Sequence, residues 1–292
     1  MRVLITGAGG MLGTDLQQVI SRQSGHEVVP YRREELNIAD REQVLAVIQT
    51  VRPDVIVNAA AYTDVDGCET NRELADSVNA MGPANLAMAA SAVGAKLIHV
   101  STDYVFAGDR DVPYVEIDDC APQSVYGQSK WAGEEAIRKH TAQHFILRSS
   151  WLFGLHGKNF VSTMLSLGTK QRSVRVVNDQ WGSPTCTWDL ARAIVALFES
   201  DRYGTYHVTN AGACTWFDFA KLIFAEEGLQ VEVLPIRTEE LGRIAPRPAY
   251  SVLDNRKWVD AGFASLRSYE EALREHLRRW HEGGSFFGSV ES

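Results

Sequence analysis

The stretch "LITGAGGMLGTDLQQVI", residues 4–20, sets an aliphatic run before three spaced glycines and then a helical pattern. Gly7, Gly10 and Gly13 fall at G-x-x-G-x-x-G spacing, between what reads as a first strand and a first helix. Glycine suits such a place for three reasons: the chain must turn tightly, a pyrophosphate must approach the backbone, and helix must pack close to strand. The N-terminus of the helix then offers unpaired N–H groups and a positive dipole end. Alone, the motif also fits a plain structural turn, so its setting decides.

That setting is a strand–helix alternation. "RVLIT" (2–6), "EVVPY" (27–31), "DVIVNAA" (54–60), "AKLIHVST" (95–102) and "HFILRSS" (144–150) are continuous aliphatic runs, as strands covered on both faces should be. Helical patterns over 41–51 and 84–95 lie between them. The order predicts right-handed βαβ units: an α/β fold with a doubly wound, Rossmann-type parallel sheet. The dinucleotide-binding domain is expected over 1–150, with later segments returning to it. After Trp151 the rhythm changes to helices mixed with short strands, which predicts a smaller C-terminal α/β substrate-binding lobe over 151–282. Ser268 and Glu271 form a capping box at the head of "SYEEALREHLRRW". The remaining segment, 283–292, reads as a loose tail.

Composition narrows the function. Of 292 residues, 45% are hydrophobic and 23% charged, and the formal net charge is −8. Without a basic run, nucleic acid is excluded as the main partner. Cys68, Cys120, Cys186 and Cys214 are scattered, with no C-x-x-C and no histidines at zinc spacing. No apolar run approaches membrane-spanning length, and "MRVLITGAGG" lacks the basic start of a secretion signal. A cytoplasmic protein with no membrane partner and no metal site is expected.

The second strand bears on the choice of dinucleotide. It ends "VVPYRR", with no acid at its tip to take a ribose 2′-hydroxyl. Arg32 and Arg33 suit a 2′-phosphate instead, which favours NADPH while leaving NADH possible. Further on, "STDYVF" ends a strand at the carboxyl edge of the sheet, and Tyr126 and Lys130 follow at helical i, i+4 spacing. A phenol is a poor acid at neutral pH, and a nearby ammonium lowers its pKa. Lys130 is expected to do so for Tyr126, and the hydroxyl of Thr102 to hold a substrate oxygen beside the phenol.

The glycine loop, "NAAAYT" (58–63), "STDYVF" (101–106) and Tyr126-x-x-x-Lys130 together resemble the extended short-chain dehydrogenase/reductases. "RPDVIVNAAAYTDVD", "VYGQSKWAGE", "RSSWLFG", "NDQWGSPT" and "RPAYSVLDN" are similar, more narrowly, to the dTDP-4-dehydrorhamnose reductase family. The resemblance runs from residue 2 to about 255. It implies NAD(P)H-dependent reduction of the C4 ketone of dTDP-6-deoxy-L-lyxo-4-hexulose to dTDP-L-rhamnose, with Tyr126 as proton donor and Thr102 polarising the carbonyl. It also implies that Gly10, Met11 and Leu12 line a pyrophosphate, Asn37 and Ile38 an adenine, and Ala61, Tyr62 and Thr63 the middle of the cofactor. Thr102, Asp103 and Trp151 match substrate contacts, as do Asn159 in "KNF" and Arg247 in "PRPAYS".

Tyr104 stands where related 4,6-dehydratases carry Glu, which favours simple ketone reduction over water loss. Two alternatives remain: a 4-ketoreductase for another dTDP-4-keto-6-deoxy sugar, and a non-catalytic NADP-binding subunit resembling the regulatory subunit of methionine adenosyltransferase. Some relatives bridge a homodimer through magnesium. Asp15 and Trp188 hold the matching places here, and an indole cannot ligate a metal, so a monomer or a metal-free homodimer is expected. His99, inside an aliphatic strand, reads as a satisfied core histidine, and Trp181, Trp216 and Trp280 as core or surface packing.

Overall fold

A computed structural model describes residues 1–22 and 25–283. At its centre is a six-stranded sheet: β1 (Arg2–Thr6), β2 (Glu27–Tyr31), β3 (Val55–Asn58), β4 (Lys96–Thr102), β5 (His144–Ser149) and β6 (Gly204–His207). The spatial order is β6-β5-β4-β3-β1-β2, and every pair is parallel. Each of the five aliphatic runs became a strand, because residues such as Val3, Leu4, Ile5 and Ile56 are buried between helices on both faces. One face is covered by helices Met11–Ser21 and Thr187–Ala196, which share a core of Leu12, Leu16, Leu190 and Ile194. The other is covered by Arg41–Val51 and Gly82–Val93, whose Val44, Ile48 and Leu86 pack on Leu4 and Ile56.

The sequence runs one way from β1 to β2 and the other way from β3 through β6, so the switch point lies between β1 and β3. Ligands of open α/β sheets bind outside the carboxyl ends of strands at such a point. There lie the glycine loop and residues 59–63.

The smaller lobe has its own core. Helices Phe160–Gly168, Trp216–Glu226 and Tyr269–His281 pack around the parallel pair Ser173–Val177 and Glu232–Ile236. The Ser268–Glu271 capping box forms as read. Between these elements the chain crosses back: Thr187–Ala196, β6 and Trp258 all belong to the core of the sheet domain. The tail expected over 283–292 lies outside the described residues beyond Gly283. Among the described residues, no helix is long and apolar enough to cross a membrane.

Candidate active site

The glycine loop is sterically closed to side chains at Gly7 and Gly13. A Cβ on Gly13 would stand 2.2 Å from the carbonyl oxygen of Gly7, and one on Gly7 2.7 Å from the amide nitrogen of Ala60. Gly7 also has φ +68°, in the left-handed region that glycine favours. Beside this loop opens a cavity of about 410 Å³, lined by Gly7, Gly10, Arg32, Arg33, Asn37, Ile38, Ala61 and Tyr62. The structure therefore gathers most of the expected cofactor residues on one wall. Met11 is half-buried at the mouth of the helix, next to Gly154. Leu12 differs: its side chain is in the core, so only its backbone can face a ligand. Thr63 lies outside the lining of this cavity. A larger cavity of 600 Å³, lined by Asp189, Arg192 and Arg267, includes none of the expected site residues.

Tyr126 sits in the first turn of helix Val125–His140, whose N-cap, Ser124, accepts a hydrogen bond from the Gly127 N–H. Gly127 lets this helix approach the end of β4, since a Cβ there would lie 2.2 Å from the carbonyl oxygen of Tyr104. The approach brings the Tyr126 ring edge-on to Tyr104, with centroids 5.6 Å apart. It also brings the phenol within hydrogen-bonding reach of Thr102. Thr102 in turn donates to Asp103 Oδ1 at 3.0 Å. A line of hydroxyls thus joins the phenol to a buried carboxyl.

Electrostatics differ from the sequence-based expectation. Burial pushes the Tyr126 phenol well above its ordinary value, and the Thr102 hydroxyl is the contact that draws it back. Lys130 directs its amine elsewhere, 2.7 Å from the carbonyl oxygen of Val100 and 3.2 Å from His99 Nε2. Burial brings Lys130 down to about 8, with Glu134 opposing. Burial also raises Asp103 to about 6, with hydroxyls of Ser251 and Thr102 working against it.

The expected substrate residues are spread more widely. Trp151 adopts a left-handed backbone, φ +48°, and stacks on Trp216 with ring centroids 3.5 Å apart. Trp216 is thus a packing partner of Trp151, and Trp181 is a surface residue, 43% exposed. Asn159 caps helix Phe160–Gly168 and donates to the Gly154 carbonyl at 2.8 Å, so its amide is engaged in holding the loop. Arg247 pairs with Asp66, its two nitrogens 3.1 and 2.9 Å from the two carboxylate oxygens.

Sequence reasoning missed several members of this region. Asn79 clamps the backbone of Tyr62, accepting from its N–H at 2.8 Å and donating to its carbonyl at 2.9 Å. Asp66 anchors Arg247 across the lobes. Glu134 and Arg148, both buried, brace the Tyr126 helix against β5. Polar residues inside otherwise apolar patterns were the available signal. At the magnesium positions, Asp15 accepts from Thr187, and Trp188 lies beneath Arg279 at 3.7 Å. Among the described residues, no group of three or more His, Cys, Asp or Glu is placed to hold a metal.

Comparison with known proteins adds the following. Residues 1–281 match a family model described as the RmlD substrate binding domain. The spore coat polysaccharide biosynthesis protein SpsK of Bacillus subtilis is 46% identical over 277 residues, spanning 95% of this chain and 97% of SpsK. A dTDP-4-dehydrorhamnose reductase of Mycobacterium tuberculosis is 42% identical over 283 residues, spanning 94% of this chain and 92% of that protein. A crystal structure of dTDP-4-dehydrorhamnose reductase from Bacillus anthracis in complex with NADP is 45% identical. Its TM-score is 0.93, and the match covers 95% of this chain and 99% of that one.

Proposed function

The chain belongs to the RmlD substrate-binding family, and on that premise we propose that it reduces the C4 ketone of dTDP-6-deoxy-L-lyxo-4-hexulose to dTDP-L-rhamnose with NADPH. The observation that carries the reading is the meeting of Tyr126, Thr102 and Asp103 at the carboxyl end of β4, beside a glycine cradle at the switch point.

The residues present fit a dinucleotide. At Gly7 and Gly13 a Cβ would strike neighbouring backbone, so the loop stays bare and tightly turned where a pyrophosphate would approach it. Arg32 lies against Gly9, and Arg33 lines the same cavity, which supports a 2′-phosphate and hence NADPH over NADH. NADPH, when bound, supplies the hydride. The protein supplies the proton and the orientation. Tyr126, held protonated by burial, donates to the carbonyl oxygen as it gains charge. Thr102 can present its hydroxyl to the same oxygen once its single hydrogen turns from Asp103 Oδ1, where it rests in this structure. Trp151 and Arg247 contribute to the sugar-nucleotide side of the cleft, and Asn159 holds the loop at Gly154 in place. No second acid–base pair is needed, in keeping with Tyr104 in place of a carboxylate. The reading carries with it a cytoplasmic enzyme acting on a small-molecule substrate.

The test is NADPH oxidation with enzymatically generated dTDP-6-deoxy-L-lyxo-4-hexulose, comparing wild type with Tyr126→Phe. Turnover to dTDP-L-rhamnose, falling ~10²-fold or more without the phenol hydroxyl, is expected for general-acid catalysis. NADPH binding without turnover, or a product with another C4 configuration, would reject the rhamnose assignment.

A further inference from the structure

Two hydroxyls stand beside the Asp103 carboxyl, and each has a single hydrogen to give. Thr102 donates its own to Oδ1 at 3.0 Å. Oδ2 has no hydrogen-bond partner among the described residues, although Asp103 is only 2% exposed. The second hydroxyl, that of Ser251, is buried within reach of the same carboxyl. Its hydrogen rests elsewhere in this structure, on the Trp181 carbonyl at 3.4 Å.

That bond is long and easily given up. The Trp181 carbonyl already accepts from the Ser251 N–H at 2.9 Å, so it stays satisfied without the hydroxyl. The Trp181 N–H donates in turn to the Ala249 carbonyl at 2.8 Å, and the two backbone bonds fix where Ser251 stands. Only its hydroxyl is left to rotate. The carboxylate has the opposite need. When Thr102 turns its hydrogen to a substrate carbonyl, Asp103 keeps only the backbone N–H groups of residues 103 and 104 nearby. A buried acceptor that loses its donor is costly, and a charged one draws a hydroxyl more strongly than a neutral carbonyl does.

We propose that Ser251 is a positioning residue that takes over the Asp103 carboxylate as Thr102 turns its hydroxyl to the reacting carbonyl. Asp103 orients Thr102 at rest, and Ser251 makes the release possible. The claim rests on the reductase reading only for the carbonyl that Thr102 turns to. The titratable groups facing Asp103 are Tyr104 beside it and Tyr126 on the helix Val125–His140, with Arg247 acting on Tyr104. Neither phenol serves as the replacement donor. The Tyr126 hydrogen is committed to the substrate oxygen, and Tyr104 meets Asp103 through charge alone.

Thr102→Val stands in for the turned state, because it removes the Thr102 hydrogen altogether. In this variant, free of dinucleotide, adding Ser251→Ala should move the ¹³C titration of the Asp103 carboxyl to higher pH by at least about half a unit, as for a charged form that loses a donor. The same Ser251→Ala change in wild type, where Thr102 still serves Oδ1, should move it less. No shift in the Thr102→Val background overturns the proposal, and this readout is blind to which sugar is reduced. If the double variant does not fold, a crystal structure of Thr102→Val decides, taken well above the Asp103 value of about 6. Ser251 Oγ should then lie within ~3 Å of an Asp103 carboxylate oxygen. A hydroxyl still on the Trp181 carbonyl overturns the proposal. With NADPH and the keto sugar, Ser251→Ala alone should lower kcat ~10-fold with NADPH affinity unchanged, the pattern of a contact made only in the transition state. Wild-type turnover with an undiminished kcat in Ser251→Ala also overturns it, whereas a wild type without turnover rejects the reductase reading alone.

Discussion

Asp103, proposed above to orient Thr102, is held at a cost to stability. Its carboxyl is buried, and burial raises its pKa from 3.8 to about 6. The folded protein therefore binds a proton that the unfolded chain has released between those two values. Stability contributed by the protonated carboxyl is present below the unfolded pKa and falls as pH rises towards 6. Asp103→Asn should stabilise the protein at pH 7 by about 3 kcal/mol, since each unit of pKa shift is worth ~1.4 kcal/mol. The gain should vanish below about pH 4, where both forms are neutral. Urea unfolding at the two pH values measures it, and an equal gain at both would mean that ionisation is not the cause. Activity should fall in the same variant if Asp103 orients Thr102. The Tyr126–Lys130 pair stood out in the sequence through its i, i+4 spacing, and Thr102 through its place at the end of a strand. The partner of Lys130 did not, since His99 reads from sequence only as one polar residue in an apolar strand.

Among elements, the short helix Val65–Thr70 does the least conspicuous work. Its Asp66 accepts from the Ala245 N–H and from Arg243 and Arg247, so one carboxylate ties the segment 243–247 to the sheet domain. The Arg247 hydrogen bond is the main reason the Asp66 carboxyl is held down to about 2, which keeps the tie intact across ordinary pH. Asp66→Ala should release Arg247, proposed as a sugar-nucleotide contact. Steady-state kinetics should show KM for the sugar nucleotide rising several-fold with kcat changed less, the pattern of lost ground-state binding. A fall in kcat alone would place Asp66 in the chemistry instead. Nothing local in "DVDGCE" announces this, because its partners lie some 180 residues away in sequence. The helix Arg41–Val51, by contrast, begins and ends where its periodicity placed it.

At the scale of the whole molecule, the Tyr126 helix is fixed to the sheet by a buried ion pair. Arg148 of β5 donates to Glu134 through Nε at 3.0 Å and Nη2 at 2.8 Å, and Ser101 of β4 adds a third hydrogen bond. Removing one member leaves the other charge buried and unpaired, which costs ~3–5 kcal/mol. Glu134→Gln should therefore lower the urea midpoint substantially, and loss of NADPH turnover should follow loss of the fold. A shift within about 0.5 kcal/mol, the range of ordinary surface substitutions, would mean that water compensates Arg148.

The sequence by itself determined the doubly wound sheet, all five of its aliphatic strands, the glycine loop and the Tyr126–Lys130 helix. Each of these depends on local periodicity or on a steric need within a few residues. Tertiary structure alone decided which later segments, Thr187–Ala196 and β6, return to the sheet domain, that Leu12 faces the core, and that Asn159 spends its amide on capping. It also decided that Lys130 meets His99 rather than the phenol. These outcomes depend on which strands become neighbours: Thr6, Asn58 and His99 form a row only once β1, β3 and β4 pair in register. A buried polar group takes whatever partner that pairing brings within reach, and no spacing along the chain records it.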